Sequence, residues 1–331
     1  MLVLGIESTC DETACAVVRD GYEILSNVVS SQIDLHKEFG GVVPELACRR
    51  HIDLIIPILD ESLKLANINL QDLDLIAVAH GPGLIGALLI GLNMAKSLAV
   101  ALKKPFIGIN HIEAHLYAAL MSHNEKIAFP YLGVVLSGGH TSLVLMEDIG
   151  TYRLISQTVD DAIGEAFDKV AKMLGLPYPG GPEIEALARQ GDPSRFPFKG
   201  GRVKTRPLDF SFSGLKTAVL YALQDLAPTE SDKCDIAASF QRAAFDDIVS
   251  KALQAASQYH LKTMIFGGGV TNNKYLRQLF AERAPNCTLV WPSTGLSLDN
   301  AAMIAGLAYH HYLKRQKGDA LDLEPLVRIP F

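Results

Sequence analysis

Leu2-Val3-Leu4-Gly5-Ile6-Glu7-Ser8-Thr9-Cys10-Asp11-Glu12-Thr13-Ala14-Cys15-Ala16-Val17-Val18 is the stretch whose reading decides the fold. An apolar run over 2–6 meets a turn of small and acidic residues, and a second apolar run over 14–18 leads to Asp20-Gly21. This reads as strand, tight turn, strand. The plan recurs in Tyr131-Leu132-Gly133-Val134-Val135-Leu136-Ser137-Gly138-Gly139-His140-Thr141-Ser142-Leu143-Val144-Leu145-Met146. Two copies roughly 130 residues apart predict a duplicated domain. A single glycine turn is most often plain hairpin geometry. A repeated one, with bare amides and hydroxyls at a strand end, suits a phosphate or acyl-phosphate. Two such turns facing each other across a cleft would clamp one nucleotide.

Outward from the first copy, helical periodicity over 47–65 leads to a strand over 75–78. The loop Gly81-Pro82-Gly83 then opens a long Leu-, Ala- and Gly-rich helix ending at Leu102. A strand over 106–109 runs into His111-Ile112-Glu113-Ala114-His115. On a helix, residues i and i+4 stand about 5–6 Å apart on one face, close enough to grip a metal ion. The zinc-protease motif puts a general-base Glu directly after the first His, whereas here Glu113 comes one place later. At about 100° per residue it points near 200°, while the two imidazoles average about 20°. It faces away, which disfavours a protease. The pair then reads either as metal ligands or as polar histidines satisfied by neighbouring carbonyls. Asp299, at a helix start, is either an N-cap or the third member of a His, His, Asp ligand set.

The 331 residues suit two domains of ordinary size, and 49% hydrophobic with 20% charged is the balance of a globular enzyme. The longest apolar run, 84–92, is followed by Asn93, Lys96 and Ser97, short of the roughly 18 residues of a membrane span. Glu7 and Asp11 interrupt any signal-peptide core. Cys10, Cys15, Cys48, Cys234 and Cys287 are scattered and odd in number, offering neither a disulfide framework nor a cysteine zinc site. A reducing cytoplasm is the expected location. A net charge of −6 excludes coating nucleic acid by bulk electrostatics, so any RNA contact must be local. The segment 189–206 qualifies: it carries Arg189, Arg195, Lys199, Arg202, Lys204 and Arg206 against Asp192 alone, with Phe196 and Phe198 interleaved. It is either a nucleic-acid contact or a basic surface loop without a partner.

In the second half, a helix containing Glu165 and Asp168 precedes the loop Tyr178-Pro179-Gly180-Gly181-Pro182. Asp168 is either a solvated helix face or, by its closeness to two glycine turns, part of a site. After a helical stretch over 236–259, a strand over 263–266 meets Gly267-Gly268-Gly269-Val270-Thr271-Asn272-Asn273. There an Asn side chain offers both donor and acceptor to ribose hydroxyls.

Taken in order, several motifs resemble the bacterial tRNA N6-adenosine threonylcarbamoyltransferases, the TsaD family. They are Gly5-Ile6-Glu7-Ser8 with Asp11-Glu12-Thr13, Gly40-Gly41-Val42-Val43-Pro44-Glu45, Gly81-Pro82-Gly83-Leu84, His111 with His115, and Ser137-Gly138-Gly139-His140-Thr141. Gly164-Glu165-Ala166-Phe167-Asp168, the loop 178–182, Gly268-Gly269-Val270 with Asn273, and Asp299-Asn300 extend the resemblance over nearly the whole chain. It implies an α/β, actin-like or sugar-kinase-like (ASKHA) fold of two ribonuclease-H-like lobes. Residues 1–127 would form the first lobe, with the metal histidines. Residues 128–331 would form the second, with a helical insertion around 175–235 and a last helix packing back on the first.

The activity implied is transfer of the threonylcarbamoyl group of threonylcarbamoyl-AMP to N6 of the adenosine 3′ of the anticodon, position 37, in tRNAs reading ANN codons, releasing AMP. The implied metal ligands are His111, His115 and Asp299, around one divalent ion, Fe(II) ahead of Zn(II). The implied substrate residues are Val135, Leu136, Ser137, Gly138, Gly139, Asp168, Gly181, Glu185 and Asn273, with ATP or ADP able to occupy the same cleft. Asp168, Ser137, Asp11 and Glu12 are the candidate catalytic residues. Val135 stands where archaeal and eukaryotic relatives carry Tyr, removing a possible fourth ligand, and His140 where they carry Asn. Implied partners are a paralogous TsaB subunit, a TsaE ATPase, and tRNA held jointly with them; no membrane is involved. The alternative activities are an ATP-dependent phosphotransferase on the same fold and, behind it, a metalloprotease.

Overall fold

Three antiparallel strands open the chain: β1 (Leu2–Glu7), β2 (Glu12–Arg19) and β3 (Glu23–Ser31), with Leu2 opposite Arg19 and Glu12 opposite Ser31. The computed structural model describes residues 1–123, 127–224, 226 and 228–329. The near-continuous apolar runs of β1 and β2 are buried on both faces. After α1 (Ile33–Lys37) and α2 (Pro44–Ala66), β4 (Leu75–Gly81) adds parallel to β1, and after α3 (Ile85–Leu102), β5 (Phe106–Asn110) adds parallel to β4. The sheet order is β3-β2-β1-β4-β5. α4 (His111–Met121) leaves β5 without a loop. Asn110 caps it, its Oδ1 accepting from the amides of Ile112 at 2.9 Å and Glu113 at 3.4 Å, so His111 is the first helical residue.

The second sheet repeats the first. β6 (Tyr131–Leu136), β7 (Thr141–Asp148) and β8 (Thr151–Gln157) form the antiparallel meander. α5 (Ile163–Met173), α6 (Gly180–Ala188), α7 (Ser213–Gln224) and α8 (Glu230–Gln258) precede β9 (Thr263–Gly267), which adds parallel to β6. α9 (Lys274–Arg283) leads to β10 (Thr288–Val290), parallel to β9. The order β10-β9-β6-β7-β8 is the first sheet's order, copy for copy, reading each meander outward. The expected insertion around 175–235 is occupied by α6, an irregular segment and α7. Phe167, Phe240, Phe245, Phe266 and Phe280 are buried in this half's core.

The chain divides into Met1–Ile127 with Pro292–Phe331, and Ala128–Trp291. The sequence division ran the second lobe to residue 331 with only a last helix packing back. In the structure all of Pro292–Phe331 belongs to the first unit. Its helix α10 (Ala301–Arg315) packs on β1, β2 and α4. Gly5 makes that approach possible, since a Cβ there would collide with the Ala301 carbonyl oxygen. Beyond α10 the chain covers the edge strand β5: Asp319 N donates to Phe106 O at 2.8 Å and Gly108 N to Asp319 Oδ2 at 2.9 Å. Among the described residues α3 is the one helix long and apolar enough to cross a membrane. Here its Ala87, Leu88, Gly91, Leu92, Ala95 and Ala99 are buried, and its Lys96 donates to Leu323 O at 2.7 Å.

Candidate functional site

His111 and His115 occupy successive turns of α4 with ring centroids 4.5 Å apart. Asp299 arrives from the segment leading into α10, its Oδ1 3.1 Å from His115 Nε2 and 3.5 Å from His111 Nε2. The ligand atoms of the three residues all lie within 4.8 Å of one another. Asn300, not Asp299, caps α10, accepting from Met303 N at 3.1 Å, which leaves the Asp299 carboxylate to the histidines.

The group fits a divalent ion. His115 is fully buried, and neither of its ring nitrogens makes a hydrogen bond among the described residues, Nε2 included despite its closeness to Asp299. A buried imidazole left so is costly, and an ion at Nε2 would satisfy the nitrogen that faces Asp299. Ligands about 2.1 Å from one tetrahedral ion stand roughly 3.4 Å apart, and the distances of 3.1 and 3.5 Å bracket that spacing. His111 Nδ1 lies 2.9 Å from Glu7 Oε2, and a carboxylate at Nδ1 leaves the Nε2 lone pair directed at the ion. Glu7 is itself fully buried, its other oxygen accepting from Thr9 N at 2.7 Å. Glu7 is not among the site residues that the sequence motifs imply. The available signal was a carboxylate ending a buried apolar strand, which demands a donor or cationic partner.

Electrostatics point the same way. Burial would push His111 down, but the Glu7 and Asp299 carboxylates outweigh it and hold His111 well above the usual histidine range. Burial would raise Asp299, yet His111 and His115 hold it well below the carboxylate range. Glu12 is pushed well up by burial and then by the charges of Asp299 and Asp11, against a 3.0 Å hydrogen bond from Ser31 Oγ. This is an acidic neighbourhood that a cation would relieve. Glu113 faces the other way, as the helical angle required: it is buried with its carboxylate 3.0 Å from His311 Nε2 on α10. A protease is left without its base.

The unit formed by Ala128–Trp291 holds the other candidates. Ser137 N donates to His140 O at 2.8 Å and His140 N to Ser137 Oγ at 3.0 Å, closing the turn between β6 and β7. The start of α5 sits on that turn, with Gly164 N donating to Ser137 O at 3.2 Å and Glu165 N to Gly138 O at 3.2 Å. Gly164 allows this approach, because a Cβ would come 2.7 Å from Gly138 Cα. A Cβ at Gly138 or Gly139 would meet nothing within 4 Å, so the turn is open on its other side. Their amides donate to no backbone acceptor among the described residues, which is what a phosphate cradle requires. Val135 and Leu136 are fully buried, backbone as well as side chain, so neither presents a surface to a ligand here.

Asp168 is more than a solvated helix face: its Oδ1 accepts from Gly180 N at 2.7 Å, tying α5 to α6, while Gly181 beside it is open. Two expected substrate residues carry structural work. Asn273 caps α9, its Oδ1 accepting from Leu276 N at 3.1 Å and its Nδ2 donating to Gln241 at 2.8 Å. One amide hydrogen and one oxygen lone pair are left over for a ribose hydroxyl. Glu185 Oε1 accepts from Lys274 N at 3.1 Å and Arg189 at 2.9 Å. Phe196 and Phe198 pack against the core and stack on each other, so they are not the exposed platforms that interleaving with cations suggested.

The sequence model of the family described as TsaD, tRNA N6-adenosine threonylcarbamoyltransferase, matches residues 23–306. The chain belongs to this family. It is 70% identical over 338 residues to the tRNA N6-adenosine threonylcarbamoyltransferase of Protochlamydia amoebophila, covering 100% of this chain and 98% of that one. With the enzyme of the same name from Chlamydia felis it shares 50% over 327 residues, covering 96% and 93%. Among solved structures, full-length HypF in its phosphate- and nucleotide-bound form superposes with a TM-score of 0.63 at 15% identity, over 94% of this chain and 55% of HypF. Component A of the (R)-2-hydroxyglutaryl-CoA dehydratase of Acidaminococcus fermentans gives 0.55 at 14% identity, over 95% and 99%. At such identities these structures speak for the fold alone, an α/β fold of the ASKHA type.

Proposed function

We propose that this chain performs the reaction its relatives are named for, transfer of a threonylcarbamoyl group to N6 of an adenosine in tRNA. The observation that carries this is full-length identity of 70% to a named transferase. In finer terms, the donor is threonylcarbamoyl-AMP, the acceptor is adenosine 37 of tRNAs reading ANN codons, and AMP leaves.

An exocyclic adenine amine is a poor nucleophile, because its lone pair is delocalised into the ring. The carbonyl must therefore be activated, as it is in a mixed anhydride with a good leaving group. The amine nitrogen attacks the carbamoyl carbon, the carbon–phosphate-oxygen bond breaks, and the N6 proton passes to a base. Preorganised amides at Gly138 and Gly139 are suited to the phosphate or the tetrahedral oxyanion. Asp168 is our candidate for binding the donor or accepting the proton, with Ser137, Asp11 and Glu12 in support. His111, His115 and Asp299 would hold a divalent ion, Fe(II) ahead of Zn(II) on their two-nitrogen, one-oxygen donor set. When bound, the ion would polarise and orient the donor.

We also assign the cytoplasm as the site of action, supported by five free cysteines. A TsaB paralogue and a TsaE ATPase are proposed as partners. The apolar pairs Ile52 and Ile56 on α2, and Ile85 and Leu89 on α3, all exposed, favour the first unit for the paralogue. The test is incubation with threonine, bicarbonate, ATP, a synthetase for threonylcarbamoyl-AMP and unmodified tRNA, with and without the partners. Modified adenosine should appear only when this chain is present. Phosphorylation of a small metabolite without tRNA would favour the phosphotransferase instead.

A further inference from the structure

The six cations between residues 189 and 206 are not equivalent. Arg189 pairs with Glu185 at 2.9 Å and Arg206 with Asp209 at 2.8 Å, so their charges are answered within the chain. Arg195, Lys199, Arg202 and Lys204 are exposed, and among the described residues none has a carboxylate within ion-pair distance. The stretch that carries them is neither helix nor strand, yet it is fastened from beneath. Lys251 of α8, itself buried, donates to Gly201 O at 3.2 Å, Asp209 O at 2.9 Å and the Asp247 carboxylate at 2.7 Å. Gln157 N donates to Asp209 Oδ1 at 3.3 Å, and Asp160 accepts from Ser211 Oγ at 2.6 Å and Phe212 N at 2.8 Å. Phe196 and Phe198, with ring centroids 5.6 Å apart, complete the anchor on the core side.

We propose that this loop contacts the phosphate backbone of RNA through Arg195, Lys199, Arg202 and Lys204 and reads no base. Four like charges on one anchored loop attract a polyanion, while the aromatic rings that would stack on bases are half-buried and already occupied, Phe196 and Phe198 by each other and by the core, and Phe196 also by the Arg195 guanidinium 6.0 Å from its centroid. In a chain of net charge −6 such a patch is a local exception, and it serves positioning rather than sequence choice. The proposal rests on the reading of the chain as a tRNA transferase.

The test is a salt titration of full-chain binding to unmodified tRNA, comparing the natural sequence with a variant carrying Arg195→Gln, Lys199→Gln, Arg202→Gln and Lys204→Gln. Each lost phosphate contact should lower the log–log salt slope by about 0.9, so the variant should lose about 3–4 in slope and bind at least roughly tenfold more weakly at moderate salt. Phe198→Leu, which keeps the apolar anchor and removes the ring, should leave slope and Kd unchanged. An unchanged slope in the fourfold variant overturns the proposal. So does loss of affinity in Phe198→Leu with an unchanged Tm, which would mean base stacking, or a fourfold variant that binds tRNA normally but no longer binds an acidic partner protein. Binding is read separately from transfer: a natural chain that bound tRNA with this slope but modified none would keep the patch and overturn the transferase reading.

Discussion

Glu7 shows what a single residue contributes at this site. Its carboxylate meets His111 Nδ1 at 2.9 Å in full burial, so it both selects the imidazole tautomer and adds negative charge beside the candidate ion. Glu7→Gln should retain the fold but weaken metal affinity about 10- to 100-fold, a loss typical of groups that orient a ligand. Competition against a coloured chelator, with circular dichroism to confirm folding, measures it; full metal affinity in that variant would remove Glu7 from the site. The residue pattern announced the ligands better than their support. Two histidines four apart are visible on paper because helical spacing is local. The pairing of Glu7 with His111 spans 104 positions and has no local signature.

At the scale of the element, the start of α10 sets the position of Asp299. Asn300 accepts from Met303 N at 3.1 Å and donates to Leu296 O at 3.2 Å and Leu298 O at 2.8 Å, shaping the turn that carries the aspartate. Asn300→Ala should cost about 1 kcal/mol of stability from the lost cap, and weaken metal binding besides. Asn300→Asp, which keeps the acceptor and loses the donors, should recover the stability but not the metal affinity. Thermal unfolding and metal titration separate the two.

A second element-level junction lies where Asp161 ties α5 to α7, with Lys169 at 2.7 Å and Lys216 at 2.8 Å. Burial would raise Asp161, but the hydrogen bonds from Lys169 and Lys216 hold it below the usual carboxylate value. A folded-state pKa below the unfolded one contributes stability above about pH 3.9 that is lost as pH falls through the folded value. Asp161→Asn should therefore be less stable at neutral pH and show a flatter loss of stability between about pH 4 and 2. Denaturant midpoints at both ends of that range would check it, and parallel acid limbs would count against the ion pair.

For the whole molecule, the candidate ion joins α4 to the lead-in of α10, residues 111 and 299 of one chain, inside the unit formed by Met1–Ile127 and Pro292–Phe331. Metal at a hundredfold excess over Kd should stabilise that unit by about 2.7 kcal/mol. A calorimetric scan with and without chelator should accordingly move one transition and leave the transition of Ala128–Trp291 in place. A uniform shift of both would contradict the assignment.

The sequence by itself determined the duplication, the histidine pair, the aim of Glu113 away from that pair and the family, because apolar runs bounded by polar turns, helical angle and ordered motifs are all local properties. It did not reveal β3, β8 or β10, whose lengths or half-exposed patterns give weak periodicity and whose pairing comes from neighbouring strands. Only the tertiary structure decided that residues 292–331 complete the first unit, that Asn300 rather than Asp299 is the cap, and that Asn273 and Glu185 secure α9. It also decided that Phe196 and Phe198 are half-buried against the core and each other. Each of these depends on which distant backbone amide, carboxylate or ring fills the remaining space, and that choice is made by packing between segments far apart in the chain.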